Sequence, residues 1–266
     1  MVSKRSDSLL LRVVSACCGI PLIVYVAWQG GWLLIFLVGL LYFLGLRESL
    51  RLLSGVGLTP RPLLAYLSAA VLLLVTYADP GQYPSVLVCA VLLAVLPLVI
   101  FFPRYSPPEA GVVLLSTGYL SLFLYLYLLR CLPGGRSWLL LTLTVTWAFD
   151  TAAYFAGRYA GKRRLFPGLS PAKTLEGLIA GLLASGLAAA LFAWWLPYSP
   201  FLLFGVGLAA GGAGQAGDLV FSAVKRAAGH KDAGQLIPGH GGVLDRFDSV
   251  LLTAPFIYAV ARLLLG

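Results

Sequence analysis

Charge is what this sequence has least of. Only 11% of its 266 residues are Asp, Glu, Lys or Arg, while 60% are hydrophobic and mean hydropathy is +0.91. Soluble domains carry roughly 25% charged residues. A water-soluble chain of this size has no means of hiding so much apolar surface, which excludes a soluble enzyme. Soft metal ligands are scarce too. There are two histidines and four cysteines, Cys17, Cys18, Cys89 and Cys131, with no CxxC or His-paired spacing. The cysteines read as small buried hydrophobes, and His240 lacks the partners that would complete a zinc set. No GxxxxGK[ST], HExxH or GxSxG occurs, so a P-loop, a zinc peptidase helix and a nucleophile elbow are all excluded.

What the chain has instead is long apolar runs. A bilayer-spanning helix needs about 20 apolar residues, and nine runs qualify, at about 10–28, 31–46, 63–78, 84–102, 111–131, 138–157, 175–196, 200–217 and 249–265. Gly, Pro or charged residues separate them. The expected fold is therefore all-α, a polytopic integral membrane protein with about nine transmembrane helices. The basic N-terminus followed by an apolar core reads as a retained first span, because a second run follows almost at once. With the N-terminus in the cytoplasm and alternating spans, sixteen of the 19 cations fall on the cytoplasmic side, leaving only Arg130, Arg136 and Arg262 on the other. That distribution obeys the positive-inside rule and favours an odd number of spans.

The halves differ in polarity. Residues 1–140 form the expected transmembrane scaffold, with charge only at span edges. Residues 141–266 form the expected catalytic region and hold Asp150, Glu176, Asp218, Asp232, Asp245, Asp248 and both histidines. Gly177, Gly181, Ser185 and Ala189 recur every four residues, and the next run is glycine-rich up to Gly217. Both patterns point to tight helix packing.

Asp150 lies inside an apolar run, about 12 Å deeper than Arg158 at ~1.5 Å per residue, on the helix face that also carries Tyr154 and Arg158. It is either a buried structural hydrogen-bonding group or part of a polar cavity open to the cytoplasm, and we favour the cavity. Ser170-Pro171-Ala172-Lys173-Thr174 sets hydroxyls and an ammonium just before a new helix, which suits either an anionic phosphate or a simple N-cap. The stretch Asp218 to Asp248 is the richest in polar groups. Asp218, Ser222 and Lys225 share a face if the segment is helical. Pro238 to Gly242 has almost no side-chain bulk beyond His240. Asp245 and Asp248 stand one turn apart at the start of the last span, with Arg246 between them. Carboxylates collect a hard divalent cation such as Mg²⁺, and Lys and Arg hold phosphates.

The segment SAVKRAAGHKDAGQLIPGHGGVLDRFD, Ser222 to Asp248, closely resembles the signature of the phosphatidate cytidylyltransferase (CDP-diacylglycerol synthase) family. The elements are S-x-hydrophobic-K-R, then K-D, then P-x-H-G-G-x-x-D-R-x-D. The upstream D-x-x-A-Y-x-x-G-R and L-S-P-x-K-T-x-E-G also resemble that family. Before Asp150 only the hydrophobic layout agrees. Phe221 departs from it, standing where many bacterial members carry Glu, so no role for that position carries over. The resemblance implies a reaction in which CTP and phosphatidic acid give CDP-diacylglycerol and pyrophosphate, with Mg²⁺ required and a monovalent cation left open. It implies Asp218, Asp245, Lys225 and Arg246 as catalytic residues, with Asp218, Asp245 and Asp248 around the metal. Ser170, Lys173, Ser222, Arg226, Lys231, His240 and Asp150 would bind substrate. The expected setting is the inner (plasma) membrane with the site facing the cytoplasm. The expected partners are CTP, phosphatidic acid and the lipid bilayer, with a homodimer left open and no nucleic acid.

Overall fold

The computed structural model describes residues 19–55, 57–58, 61–234, 236 and 241–266. Eleven α-helices account for most of them: α1 Gly19–Gln29, α2 Gly31–Ser54, α3 Pro62–Ala78, α4 Tyr83–Val95, α5 Pro97–Phe101, α6 Pro107–Leu120, α7 Leu124–Cys131, α8 Gly135–Ala160, α9 Leu175–Ala190, α10 Pro200–Ala227 and α11 Leu244–Leu265. A helix stands at each of the nine predicted runs, although residues 10–18 of the first run, with Cys17 and Cys18, lie outside the described residues. Six segments are long and apolar enough to cross a membrane: Gly31–Ser54, Pro80–Phe101, Pro107–Cys131, Gly135–Ala160, Leu175–Trp194 and Leu244–Leu265. Gly19–Gln29 and Pro62–Ala78 are apolar but shorter. The apolar half of α10 is diluted by glycines and Gln215.

The purely helical expectation needs one correction. Strands β1 Arg164–Phe166 and β2 Ser170–Thr174 pair antiparallel, with Arg164 opposite Thr174 and Phe166 opposite Ser170. The Pro167-Gly168 pair supplies the turn between them.

The described chain divides into two compact units. One comprises the residues up to Leu128 together with Ala227–Phe247; the other comprises Leu129–Arg226 and Asp248–Gly266. In the first, α2, α3, α4 and α6 pack on one another, and buried hydroxyls tie them together. The Tyr42 hydroxyl donates to the Thr117 carbonyl at 2.8 Å, the Ser49 and Ser116 hydroxyls lie 3.0 Å apart, and Tyr83 meets the Ser121 hydroxyl at 2.9 Å. In an apolar surround each such bond avoids a stranded polar group, which makes hydroxyls useful between membrane helices. Glu109 closes a capping box with Ser106 at the start of α6 and pairs with Arg61 at 3.2 Å.

In the second unit α8 packs along α9, and the small residues behave as their spacing predicts. Gly181 of α9 lies flat against the Phe149 ring of α8, where a Cβ would come within 2.9 Å. Gly207 and Gly211 of α10 face Ser185 and Ala189 of α9. Gly214 and Gly217, further along α10, face α11: a Cβ would lie 2.7 Å from the Thr253 hydroxyl at Gly214, and 2.6 Å from the Asp248 carbonyl at Gly217. Glycine thus lets α10 pack closely on two neighbours, and this fixes the height of Asp218. A Gly211→Val substitution forces its side chain into the Ser185 hydroxyl and the Phe149 ring. It should destabilise the protein by about 1–3 kcal/mol, read as a lower thermal midpoint in detergent; an unchanged midpoint contradicts this packing.

Candidate active site

The polar cluster of the second unit is built from α8, β2, α10 and α11. Lys173 is the penultimate residue of β2, and Thr174 behind it caps α9 by accepting the Gly177 N–H at 3.1 Å. Of the two readings of the Ser170–Thr174 segment, the N-cap is the one seen. Thr174 is the cap, and the lysine is free to turn elsewhere. Its Nζ meets Asp218 Oδ2 at 2.7 Å, with the lysine side chain 16% and the aspartate 31% exposed. Glu176 holds the preceding loop by accepting the Lys162 and Arg163 amides at 3.0 and 3.3 Å.

Asp218, Ser222 and Lys225 lie on one continuous helix, as predicted. The Ser222 hydroxyl donates to Asp218 Oδ1 at 3.2 Å, so each oxygen of that carboxylate has a partner. Lys225 is buried, and its ammonium stands 5.4 Å from the centroid of the buried Phe221 ring. The position where this chain departs from the family thus acquires a part of its own, an aromatic face under a cation. Arg226 at the helix end donates from Nε to the Leu169 carbonyl at 3.3 Å, which ties α10 to the hairpin that carries Lys173. Ser170, half-buried, sits at the other end of β2.

Asp248 is buried on α11, and its Oδ1 accepts the Ser249 N–H at 2.9 Å. It lies in the electrostatic field of Asp218, Lys225 and Asp150. The second unit thereby gathers Asp150, Lys173, Asp218, Ser222, Lys225 and Asp248. Asp218, Asp248, Lys173 and Lys225 are buried or half-buried, where charges interact more strongly than in water. Asp150 is exposed, and further along its helix Arg158 donates to the Tyr154 hydroxyl at 2.8 Å. An apolar cavity of about 870 Å³ in this unit, lined by Ala184, Leu187, Leu191 and Trp194 among others, offers nothing to hold a phosphate.

The remaining predicted residues belong to the first unit. Asp245 organises the loop ahead of α11: its Oδ2 accepts the Ala233 N–H at 2.8 Å and the Gly242 N–H at 2.9 Å. Gly241 sits at φ 85°, a conformation open to glycine, and a Cβ there would press within 2.9 Å of that same oxygen. Arg246 is exposed. Lys231 lines a pocket of about 380 Å³ with Arg51, His230 and Asp232. His240 lies outside the described residues.

Glu48 was not picked out by the sequence reading. It stands three-quarters of the way along α2, is 2% exposed, and accepts the amides of Val243 and Leu244, both at 2.9 Å. Its sequence signal is slight: it stands between Arg47 and Arg51, just past the 31–46 run, where a charge at a span edge draws no notice.

Among the described residues no three His, Cys, Asp or Glu side chains form a ready metal-binding group. The donor chemistry of Asp218 and Asp248 still fits Mg²⁺. This ion takes hard oxygen ligands and usually binds through one or two carboxylates plus substrate phosphates, not in an all-protein cage.

Residues 10–264 match the family described as the cytidylyltransferase family. A phosphatidate cytidylyltransferase of Synechocystis sp. is 34% identical, over 96% of this chain and 97% of its own length. Those of Staphylococcus epidermidis and Staphylococcus aureus are 32% and 30% identical, each over 93% of this chain and 96% of their own.

Proposed function

Because the chain belongs to the cytidylyltransferase family, we propose that it transfers the cytidylyl group of CTP to phosphatidic acid, giving CDP-diacylglycerol and pyrophosphate for phospholipid synthesis. Similarity over nearly the whole length to relatives named for that activity supports the reaction. The observation that carries it to specific residues is the Lys173–Asp218 ion pair with Ser222 on the second carboxylate oxygen. A lysine, a hydroxyl and acids gathered in a helical membrane protein suit two anionic substrates, one of which is a lipid.

The chemistry is an in-line displacement. A lipid phosphate oxygen attacks the α-phosphorus of CTP; that P–O bond forms while the bond to the β-phosphate breaks, and pyrophosphate leaves with the electron pair. Such transfers depend on positioning and on charge stabilisation. Asp218 and Asp248 are the residues of this cluster to hold Mg²⁺, which when bound would neutralise triphosphate charge; the family resemblance adds Asp245 to that set. Lys173 holds its ammonium against Asp218 in a half-buried place, ready to exchange that partner for phosphate oxygens. Lys225, oriented over Phe221, offsets the acids around it. Ser170 and Ser222 donate hydrogen bonds. By the family resemblance Arg226, Arg246, Lys231, His240 and Asp150 also serve in binding the substrates. We read all nine predicted runs as crossing the inner membrane. CTP arrives from the cytoplasm, where the cations concentrate, and the lipid enters sideways from the leaflet.

The test is the purified protein with CTP, Mg²⁺ and phosphatidic acid. Equimolar CDP-diacylglycerol and pyrophosphate support the reading; CDP as the nucleotide product would make the chain a lipid kinase instead. A Lys173→Ala variant should raise the KM for CTP by about tenfold or more, the scale of one charge-assisted contact at 1.5–3 kcal/mol. An unchanged KM contradicts the phosphate role of Lys173.

A further inference from the structure

We infer that Glu48 is a positioning residue for the reaction: a carboxylate that caps α11 from a distant helix and so fixes the loop and helix start presenting Asp245 and Arg246. The inference rests on the reaction proposed above, but its structural basis stands apart from it. A helix leaves its first N–H groups without intrahelical partners. Ser, Thr, Asp or Asn normally supplies an acceptor at the residue before the helix. Here that residue is Val243, which has no side-chain acceptor. Glu48 supplies both acceptors from nearly two hundred residues away, with Oε1 on the Val243 amide and Oε2 on the Leu244 amide. A negative charge at a helix N-terminus is also favoured by the helix dipole.

The fit is close on every side. A Cβ on Gly234 or on Gly242 would come within 2.7 Å of the Glu48 carboxylate. The two limbs of the loop therefore close over it, and only glycine permits that approach. Asp245 then draws the same limbs together through the Ala233 and Gly242 amides. Two carboxylates, one from α2 and one from α11, stitch a single loop. Glu48 has no part in the displacement itself. Its effect on the reaction passes through where Asp245 and Arg246 are held, and a misplacement of about 1 Å at a reacting centre can cost about 100-fold in rate.

Glu48→Gln is the incisive variant, since it keeps size and shape but turns an NH₂ toward one of two amide donors. In the purified full chain it should lower kcat by about 10- to 100-fold with little change in the KM for either substrate. It should also speed hydrogen exchange at Val243 and Leu244, with the amides of α3 and α6 unchanged. Combined with Asp245→Asn, the losses should overlap and not multiply, because both act on one loop. Wild-type kcat in Glu48→Gln, or unchanged exchange at Val243 and Leu244, overturns the inference. If the unmodified chain makes no CDP-diacylglycerol, the proposed reaction falls, and the exchange measurement alone decides whether Glu48 caps α11.

Discussion

The Asp218→Asn variant is expected to form CDP-diacylglycerol about a thousandfold more slowly than the wild type while still inserting into the membrane. The carboxylate serves two neighbours at once, Lys173 at 2.7 Å and the Ser222 hydroxyl at 3.2 Å. An amide keeps the shape and presents one acceptor oxygen, but removes the charge that holds the ammonium and the oxygen pair that suits a hard cation. Loss of one preorganised electrostatic contact costs about 10²–10³ in kcat, and Asp218 contributes more than one. Because the helix on which it sits is set by glycine contacts, not by this charge, the variant should unfold at a midpoint close to that of the wild type. Activity within tenfold of wild type would remove Asp218 from the machinery.

Lys225→Met should harm stability and turnover together. The lysine is buried, lies over the Phe221 ring, and is the cation in whose field Asp248 sits beside Asp218 and Asp150. Methionine fills much of the same volume but leaves the acids without that counter-charge. Removing one partner from a buried charged group costs about 3–5 kcal/mol. The expected result is a clearly lower thermal midpoint and loss of detectable product. Adding excess Mg²⁺ should restore part of the midpoint, since another cation then offsets the acids. A variant as stable and active as wild type would show that Lys225 is a packing residue.

Much of this arrangement is legible in the sequence because it follows from periodicity and spacing. Asp218, Ser222 and Lys225 fall on one helix face at any α-helical pitch, and Gly207, Gly211, Gly214 and Gly217 declare close contacts at three- and four-residue steps. The hairpin around Pro167-Gly168 escapes because three- and five-residue strands are too short to announce themselves against a helical background. Glu48 escapes for a different reason: its partners are backbone amides of Val243 and Leu244, and backbone donors carry no residue identity for a sequence to show. Asp245 illustrates the same limit. Its spacing from Asp248 marks a carboxylate pair, whereas its bonds to the Ala233 and Gly242 amides depend on how a loop folds back.

The most direct test of the central claim follows the phosphorus. Purified protein in detergent micelles with phosphatidic acid and Mg²⁺ is given CTP labelled at the α-phosphate in one reaction and at the γ-phosphate in another. The account predicts α-label in the lipid and γ-label in released pyrophosphate, with both lost in Asp218→Asn. Label from the γ-position in the lipid, or none from the α-position, would contradict it.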